Sequence, residues 1–223
     1  TGLVPEISYN FNVGAVYDRS LKTTTRIQVE ANAFYMHVDN LIQLAGNGLT
    51  LGYVNYAKAS ITGADVELKW DATENLYTSL NGTYQFLKDI NRLTPGTSVP
   101  NPTYGLAIPN IPQLFFNWNA EYHRKHTLGE HSKTRVIYDG SFVNSYDFGF
   151  AISVYDRFTI PAYLTHTLAI EQSFKNGRYT ITGEANNITD EVVINNFNQP
   201  LMGRTFRIKV RYLLLGNDSY HQH

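Results

Sequence analysis

The sequence has no cysteine among its 223 residues, so disulfide bonds and thiolate metal ligands are excluded. It also lacks an apolar run of about 18 residues, which excludes a membrane-spanning helix. Only 17% of the residues are charged, a smaller share than in most soluble domains. The formal net charge is −1, so no overall field favours nucleic acid or an anionic surface as a partner.

Aromatic side chains, in contrast, are abundant, at 13% of the chain with 16 tyrosines. Together with the low charge, this is typical of membrane barrels, whose strands carry aromatic girdles at both interfaces. It is equally compatible with a soluble β-sandwich that binds carbohydrate or protein. Composition therefore leaves two very different classes of β protein open.

The segment near the C-terminus alternates strictly in polarity. Every second residue is large and apolar, and Arg207, Lys209 and Arg211 stand between them. A two-residue period places the two sets on opposite faces of one strand. The pattern favours a strand of a membrane barrel, with its apolar side toward lipid and its polar side toward the lumen. The apolar set is Phe206, Ile208, Val210, Tyr212 and Leu214.

The same alternation recurs along the chain and predicts about nine strands, most of them longer than strands of soluble proteins. The predicted strands are residues 7–17, 26–44, 54–70, 76–86, 113–123, 135–143, 162–174, 178–186 and 206–214. The predicted fold is all-β, an antiparallel transmembrane β-barrel. We expect eight charged residues on the polar sides of these strands to face the lumen. They are Asp65, Glu67, Lys69, Glu121, Glu184, Arg207, Lys209 and Arg211.

The predicted connections alternate in length. Turns are expected at residues 18–23, 71–75 and 175–177, with a somewhat longer one at 124–133. Long loops are expected at residues 45–53, 87–112, 144–160 and 187–202. Outer-membrane barrels have this asymmetry, with short periplasmic turns and long extracellular loops. Single-chain bacterial barrels have an even number of strands, so we expect residues 1–215 to belong to a larger barrel and residues 216–223 to form a tail.

Four stretches of sequence, in order along the chain, carry a resemblance to a known family. They are Leu3-Val4-Pro5-Glu6-Ile7-Ser8; Asn55-Tyr56-Ala57-Lys58-Ala59 with Gly63-Ala64-Asp65-Val66-Glu67; Ile111-Pro112 with Asn117 and Ala120-Glu121-Tyr122; and Asn186-Asn187-Ile188-Thr189-Asp190 with Gly203-Arg204-Thr205-Phe206. In these stretches the sequence resembles the C-terminal part of a TonB-dependent outer-membrane receptor.

The resemblance implies a 22-stranded barrel with an N-terminal plug in its lumen, of the size class noted for a plugged interior. It implies import of a scarce nutrient across the outer membrane of a Gram-negative bacterium, with a ferric siderophore or a similar chelate as the default cargo. The implied partners are the earlier barrel strands and plug, TonB, the lipid bilayer and the nutrient. The plug and the TonB box would precede Thr1, and the chain continues past Leu215, where family members usually end on an aromatic residue.

Two long loops hold candidate ligand-binding residues. The first has a proline-rich sequence with Arg92 and Tyr104. Such a loop is either part of a ligand mouth or a solvated loop with restricted backbone freedom. The second loop is rich in aromatic residues, which either stack on a ligand or pack on neighbouring loops and the plug. Its candidates are Tyr146, Phe148, Phe150 and Tyr155.

The basic residues of the last strand also allow two interpretations. Arg207, Lys209 and Arg211 either guide an anionic chelate or pair with carboxylates of neighbouring strands, Glu184 among them. Paired charges are the more common lining of a barrel lumen.

No residue pattern indicates an enzyme or a resident cofactor. There is no G-x-S-x-G nucleophile elbow and no phosphate-binding glycine loop. His123, His126 and His131 are close in sequence, but they lie in a predicted periplasmic turn without cysteine or a carboxylate pair, so no metal site is expected.

Two alternatives to an active transporter stay open at this point. A passive porin would have the same barrel without plug or TonB box. A soluble β-sandwich would need shorter strands and a polar outer surface. It would leave four large side chains exposed, namely Trp70, Phe116, Trp118 and Phe206.

Overall fold

The computed structural model describes residues 2–45, 52–55, 58–94, 97–150, 158–196 and 199–214. Within these ranges the chain forms fifteen strands. They are β1 (Ile7–Lys22), β2 (Thr25–Asp39), β3 (Ile42–Ala45), β4 (Gly52–Asn55), β5 (Lys58–Thr73), β6 (Leu76–Asp89), β7 (Leu114–Lys125), β8 (Lys133–Val143), β9 (Tyr146–Asp147), β10 (Thr159–Ile160), β11 (Tyr163–Phe174), β12 (Tyr179–Asn186), β13 (Ile194–Asn196), β14 (Gln199–Pro200) and β15 (Thr205–Tyr212).

Nine of these strands form a single sheet in the order β1-β2-β5-β6-β7-β8-β11-β12-β15. Every neighbouring pair is antiparallel, and the order follows the chain. The predicted all-β, nine-stranded antiparallel arrangement is therefore confirmed. The alternative prediction of a β-sandwich is wrong, because the long strands form one sheet rather than two packed sheets. Among the described residues there is no helix long and apolar enough to span a membrane.

The register gives the sheet two faces of opposite character. Because partners across antiparallel strands point to the same side, each row of partners shows one face. One row reads Glu30, Glu67, Asn81, Asn117, Ser141 and Thr165. The next row reads Val29, Leu68, Leu80, Trp118, Gly140 and His166. We name the side of the first row the polar face and the side of the second row the apolar face.

Long and short connections lie at opposite ends of the sheet. The short ones are residues 23–24, 74–75, 126–132 and 175–178, and the long ones are residues 40–57, 90–113, 144–162 and 187–204. The predicted alternation is confirmed, and we name the two ends the turn end and the loop end. Three of the long connections contain a small hairpin, made by β3–β4, β9–β10 and β13–β14.

Several predicted strand boundaries are wrong. The turn expected at residues 18–23 is mostly strand, because the pairing of β1 with β2 continues to Lys22, and the last strand ends at Tyr212 rather than at residue 214. The second strand was expected to run from residue 26 to residue 44, but β2 ends at Asp39. Asn40 follows with a φ of 57°, a left-handed conformation that breaks the extended run. The apolar residues after it belong to the separate hairpin β3–β4, and the next long strand begins at Lys58 rather than at residue 54.

The first and last strands of the sheet, β1 and β15, have no partner on their outer edges within the described residues. Every residue of β1 is exposed, including large apolar side chains such as Phe11. In β15, Phe206 is 77% exposed. Two open edges and unburied apolar side chains fit a section of a larger barrel, in which further strands cover both edges.

The most tightly packed region lies at the loop end of β2, β5 and β6. Val38, Ala59 and Ile108 form a buried cluster there. Met36, Leu41, Leu87 and Ile111 pack around it. Because Ile108 and Ile111 come from the connection between β6 and β7, this cluster fastens that connection to the sheet.

Candidate functional site

An ion-pair network joins three neighbouring strands on the polar face. Arg135 of β8 donates to both carboxylate oxygens of Glu121 on β7, at 2.8 and 2.7 Å. Its Nη1 atom donates to Glu171 of β11 at 3.0 Å. The guanidinium thus bridges two carboxylates and fixes the spacing of the three strands.

The basic residues of β15 divide into paired and unpaired members. Nη2 of Arg207 donates to Glu184 of β12 at 2.5 Å, the partner that the sequence suggested. Arg211 donates to the hydroxyl of Thr180 at 3.3 Å. Within the described ranges, neither Lys209 nor Arg211 has a carboxylate within ion-pairing distance.

The remaining charges expected at the lumen lie on the same face. Lys69 forms an ion pair with Glu67 on its own strand at 2.9 Å. The carboxylate of Asp65 accepts a hydrogen bond from Thr83 of β6 at 2.6 Å. All eight charged residues singled out from the sequence therefore share one face of the sheet.

Between these charged areas the polar face is lined by amides and hydroxyls. Asn117 donates to the side chain of Asn81 at 3.2 Å, and Asn119 donates to Asp139 at 2.7 Å. Two open cavities of about 560 and 260 Å³ lie along this part of the face and share Asp139 and Thr167. The surface is rich in hydrogen-bonding groups, which suits contact with water or a polar partner rather than a dry core.

At the loop end, the connection between β6 and β7 folds back onto the polar face. We name residues 90–94 and 97–112 of this connection the strap. Asp89, the last residue of β6, is fully buried beneath it. One carboxylate oxygen accepts the backbone N–H of Asn91 at 2.8 Å. The other accepts the side-chain amide of Asn101 at 2.8 Å and the hydroxyl of Thr103 at 2.5 Å.

Backbone hydrogen bonds continue the sheet into the strap. Asp89 donates its N–H to Leu106 at 3.1 Å, and Ile108 donates its N–H to Leu87 at 3.0 Å. The strap therefore lies beside the loop-end residues of β6, beyond Tyr84, where the pairing of β6 with β7 ends. Ile108 is carried into the apolar cluster on the polar side of the sheet.

The two candidate ligand residues of the strap are on its surface. Arg92 and Tyr104 are both exposed. Each is tied by its backbone to Asn101: the N–H of Asn101 donates to Arg92 at 3.0 Å, and the N–H of Tyr104 donates to Asn101 at 3.2 Å. Their backbones are therefore held by the same residue that contacts Asp89.

The aromatic loop is the connection between β8 and β11, and its described residues are 144–150 and 158–162. It is more closely packed than the surface of the strap. The ring of Phe148 meets that of Phe158 edge-on, with centroids 6.2 Å apart. Tyr146 and Phe150 are half-buried, and burial raises the pKa of Tyr146, helped by the nearby Tyr163. Tyr155 lies outside the described residues. These contacts agree with packing as the main role of Phe148.

The strap and the aromatic loop touch each other. The N–H of Asn110 donates to the carbonyl of Asp147 at 2.8 Å. A cavity of about 200 Å³ lies between them, lined by apolar strap residues such as Ile108 and by Tyr146 and Asp147 from the other side. The two loops thus form one surface at the loop end.

Among the described residues, the histidines of the turn between β7 and β8 are not gathered into a cluster of ligand side chains. Nowhere in the described part of the chain do three or more His, Cys, Asp or Glu side chains lie close enough to hold a metal ion.

The sequence model of one protein family, the TonB-dependent receptor-like β-barrel, matches residues 1–188. The chain belongs to the TonB-dependent receptor family. Comparison with curated protein sequences finds no match.

Solved structures of TonB-dependent receptors share this fold. The FrpB iron transporter from Neisseria meningitidis (F3-3 variant) matches with a TM-score of 0.68 and 13% identity, over 95% of this chain and 32% of its own. The ferric yersiniabactin uptake receptor FyuA from Yersinia pestis matches with a TM-score of 0.65 and 16% identity, over 92% and 28%. The copper transporter OprC matches with a TM-score of 0.68 and 16% identity, over 93% and 31%. The chain spans about a third of the length of these receptors.

Two groups of residues described above were not identified from the sequence. They are the ion-pair network of the polar face and the buried contacts of Asp89 with the strap. Arg135 and Glu171 were not singled out, although Arg135 occupies a polar position on the strand next to that of Glu121 and Glu171 a polar position on the strand after it. Knowledge of the strand register would have revealed them. Asp89, Asn101 and Thr103 were also missed, because polar residues in a proline-rich loop give no signal of which one is buried.

Proposed function

We propose that the complete receptor is an active transporter of the Gram-negative outer membrane. In this proposal the polar face lines the barrel lumen and contacts an N-terminal plug, and the apolar face meets lipid. Cargo binds at the loop end and passes when TonB rearranges the plug. The observation that carries the proposal is the nine-stranded antiparallel sheet with two faces of opposite polarity, in a chain whose first 188 residues match the family barrel.

The proposed cargo is a ferric siderophore or a similar chelate. Two of the structural relatives are an iron transporter and a ferric yersiniabactin uptake receptor, which supports iron as the metal delivered. The exposed Arg92 offers a positive charge to an anionic chelate, and Tyr104 offers an aromatic surface and a hydroxyl. Tyr146, Phe150 and Tyr155 extend this binding surface in the proposal, whereas Phe148 supports the loop from within.

A copper ion is the second candidate cargo, since OprC is a copper transporter. Copper binding in proteins favours histidine, cysteine or methionine ligands. The described residues hold no group of three or more His, Cys, Asp or Glu side chains close enough to bind a metal ion directly. This chemistry favours an organic chelate that carries its own metal ligands.

The test is uptake of radioactive iron or radioactive copper by cells that express the complete receptor and lack other siderophore receptors. The cells receive the ferric complexes of a catecholate, a hydroxamate and a carboxylate siderophore, or a copper(II) salt, each with TonB intact or inactivated. We expect uptake of at least one ferric complex that stops when TonB is inactivated.

Uptake that persists without TonB would support a passive porin in place of an active transporter. TonB-dependent accumulation of copper without iron would keep the transporter and replace its cargo. Absence of every complex from the cells would refute the proposed cargo class.

A further inference from the structure

The carboxylate of Asp89 is engaged on both oxygens by residues of the strap. One oxygen accepts the Asn91 N–H, and the other accepts both Asn101 and Thr103. An amide in place of the carboxylate cannot reproduce this set. With its side-chain nitrogen toward Asn101, an asparagine at position 89 would place one N–H donor against another. In the flipped orientation the same nitrogen would face the N–H of Asn91. The site therefore requires an acceptor on both sides.

Asn101 connects this buried carboxylate to the strap surface. Its side-chain amide also donates to the carbonyl of Asn91 at 2.9 Å, and its side-chain oxygen accepts from the N–H of Thr103 at 3.1 Å. Its backbone holds Arg92 on one side and Tyr104 on the other. Asn101 therefore links Asp89 to both exposed residues, and the direct contacts of Asp89 with Asn91, next to Arg92, and with Thr103, next to Tyr104, support the same arrangement.

We propose that Asp89 is a positioning residue for cargo recognition: it fixes the strap so that Arg92 and Tyr104 are held in one arrangement at the loop end. This role rests on the proposed function of the receptor in cargo import. The strap is then a standing part of the binding surface, ordered before cargo arrives. Affinity gains from this order, because the loop does not have to be immobilised on binding.

The first experiment measures the order of the strap without any cargo. A nitroxide is attached to a Val99→Cys variant of the complete receptor in outer membranes; Val99 is exposed and the 223 residues contain no competing cysteine. Trypsin cleavage after the exposed Arg92 gives a second readout. We expect Asp89→Asn to increase the released strap population about ten- to a hundredfold, as the loss of hydrogen bonds to a buried carboxyl group implies.

The matched control is Asp65→Asn. It makes the same change on the same face, where the carboxylate accepts from Thr83 and contacts no strap residue. The nitroxide spectrum and the cleavage rate should stay at the wild-type level in this control. Equal strap mobility in wild type and Asp89→Asn, or an equal increase in both variants, would overturn the proposal. Heat modifiability on gels verifies that each barrel is folded.

The second experiment separates positioning from general damage, using a ferric complex that the wild-type receptor imports. We expect Asp89→Asn to raise the half-saturating concentration about tenfold while the maximal uptake rate changes by less than about twofold. Arg92→Ala should weaken binding in the wild type and add little in the Asp89→Asn background, because the two residues act as one unit. Independent, multiplying effects of the two substitutions would refute the positioning role.

The two experiments fail separately. If the receptor imports none of the ferric complexes, the proposed cargo is wrong, and the nitroxide and trypsin measurements still decide whether Asp89 holds the strap.

Discussion

Gly140 on β8 shows how one missing side chain shapes the apolar face. The indole ring of Trp118 lies directly over it, and a Cβ atom at this position would come within 2.0 Å of two ring carbons. Tyr138 and His166 border the same ring and are joined by a hydrogen bond of 2.6 Å between the phenol and Nδ1. The ring is held from several sides, so it has little room to move.

Gly140→Ala should therefore destabilise the receptor by about 1–3 kcal/mol, the usual cost of forcing extra atoms into a packed site. Gly183→Ala is the matched control, since it lies on the same face and a Cβ there meets nothing within 4 Å. Urea unfolding of the two variants in detergent measures the difference. An equal free energy of unfolding for both would mean that the indole ring moves aside freely.

Asp190 and Arg204 provide a pH-dependent contact at the loop end. The backbone N–H of Arg204 donates to Asp190 at 2.8 Å, and this bond, with the nearby guanidinium, holds the pKa of Asp190 below its usual range. A carboxylate with a lowered pKa stabilises the fold above its unfolded pKa and loses that contribution as the pH falls through its folded pKa.

We expect amide hydrogen exchange around residues 187–205 to be unchanged from neutral pH down to the ordinary aspartate pKa of about 3.9, and to accelerate as the pH falls further through the lowered pKa of folded Asp190. Rates must be corrected for the intrinsic pH dependence of exchange. Asp190→Asn should show fast exchange at every pH. A variant with the same pH profile as the wild type would assign the transition to another group.

At the scale of elements, strands β7, β8 and β11 are joined on the polar face by the network of Arg135. Replacing Arg135 by Gln leaves Glu121 and Glu171 without their shared cation. Because all three side chains are partly buried, we expect a loss of about 1–3 kcal/mol in the free energy of unfolding.

Lys209→Gln is the matched control for this network. It also replaces a cation by an amide on the polar face, but at a residue without a carboxylate partner in the described ranges. We expect a change below about 0.5 kcal/mol. Urea unfolding of both variants measures this contrast, and a larger loss for Lys209→Gln would contradict the role given to Arg135.

The two faces of β6 provide a test of which side meets lipid. Leu80 lies on the apolar face and the adjacent Asn81 on the polar face. Leu80→Arg should cost about 2–4 kcal/mol, as a charge on the lipid side of a barrel does near the bilayer centre, whereas Asn81→Arg should cost far less. The yield of heat-modifiable receptor in outer membranes measures the effect of each substitution. Equal yields would argue against the lipid contact.

At the scale of the whole molecule, the open edges of β1 and β15 are the dominant feature. Strands with unpaired edges and apolar surface associate with each other. We expect the 223 residues alone, refolded in detergent, to form aggregates rather than a monomer that resists heat on gels. Size-exclusion chromatography against the complete receptor tests this. A stable monomer would show that the nine strands close on themselves.

The large-scale arrangement was predictable because it depends on local alternation. The apolar residues from Phe206 to Leu214 define a strand without reference to any other segment. The break at Asn40 and the buried Asp89 were not predictable in the same way. Each depends on which distant residues come to lie beside it, Asn55 for the carbonyl of Asn40 and Asn101 for Asp89. The eight charges share one face, as alternation requires, but their pairing needed the register.

Trp70 and Trp118, the two tryptophans of this sequence, both lie on the apolar face. If the apolar face meets lipid, as proposed, the intrinsic tryptophan fluorescence of these residues reports their surroundings in the bilayer. Brominated acyl chains should quench it, while cargo at the loop end should leave it nearly unchanged. A binding assay based on natural emission would miss events in these residues, and an extrinsic dye on the strap would be required.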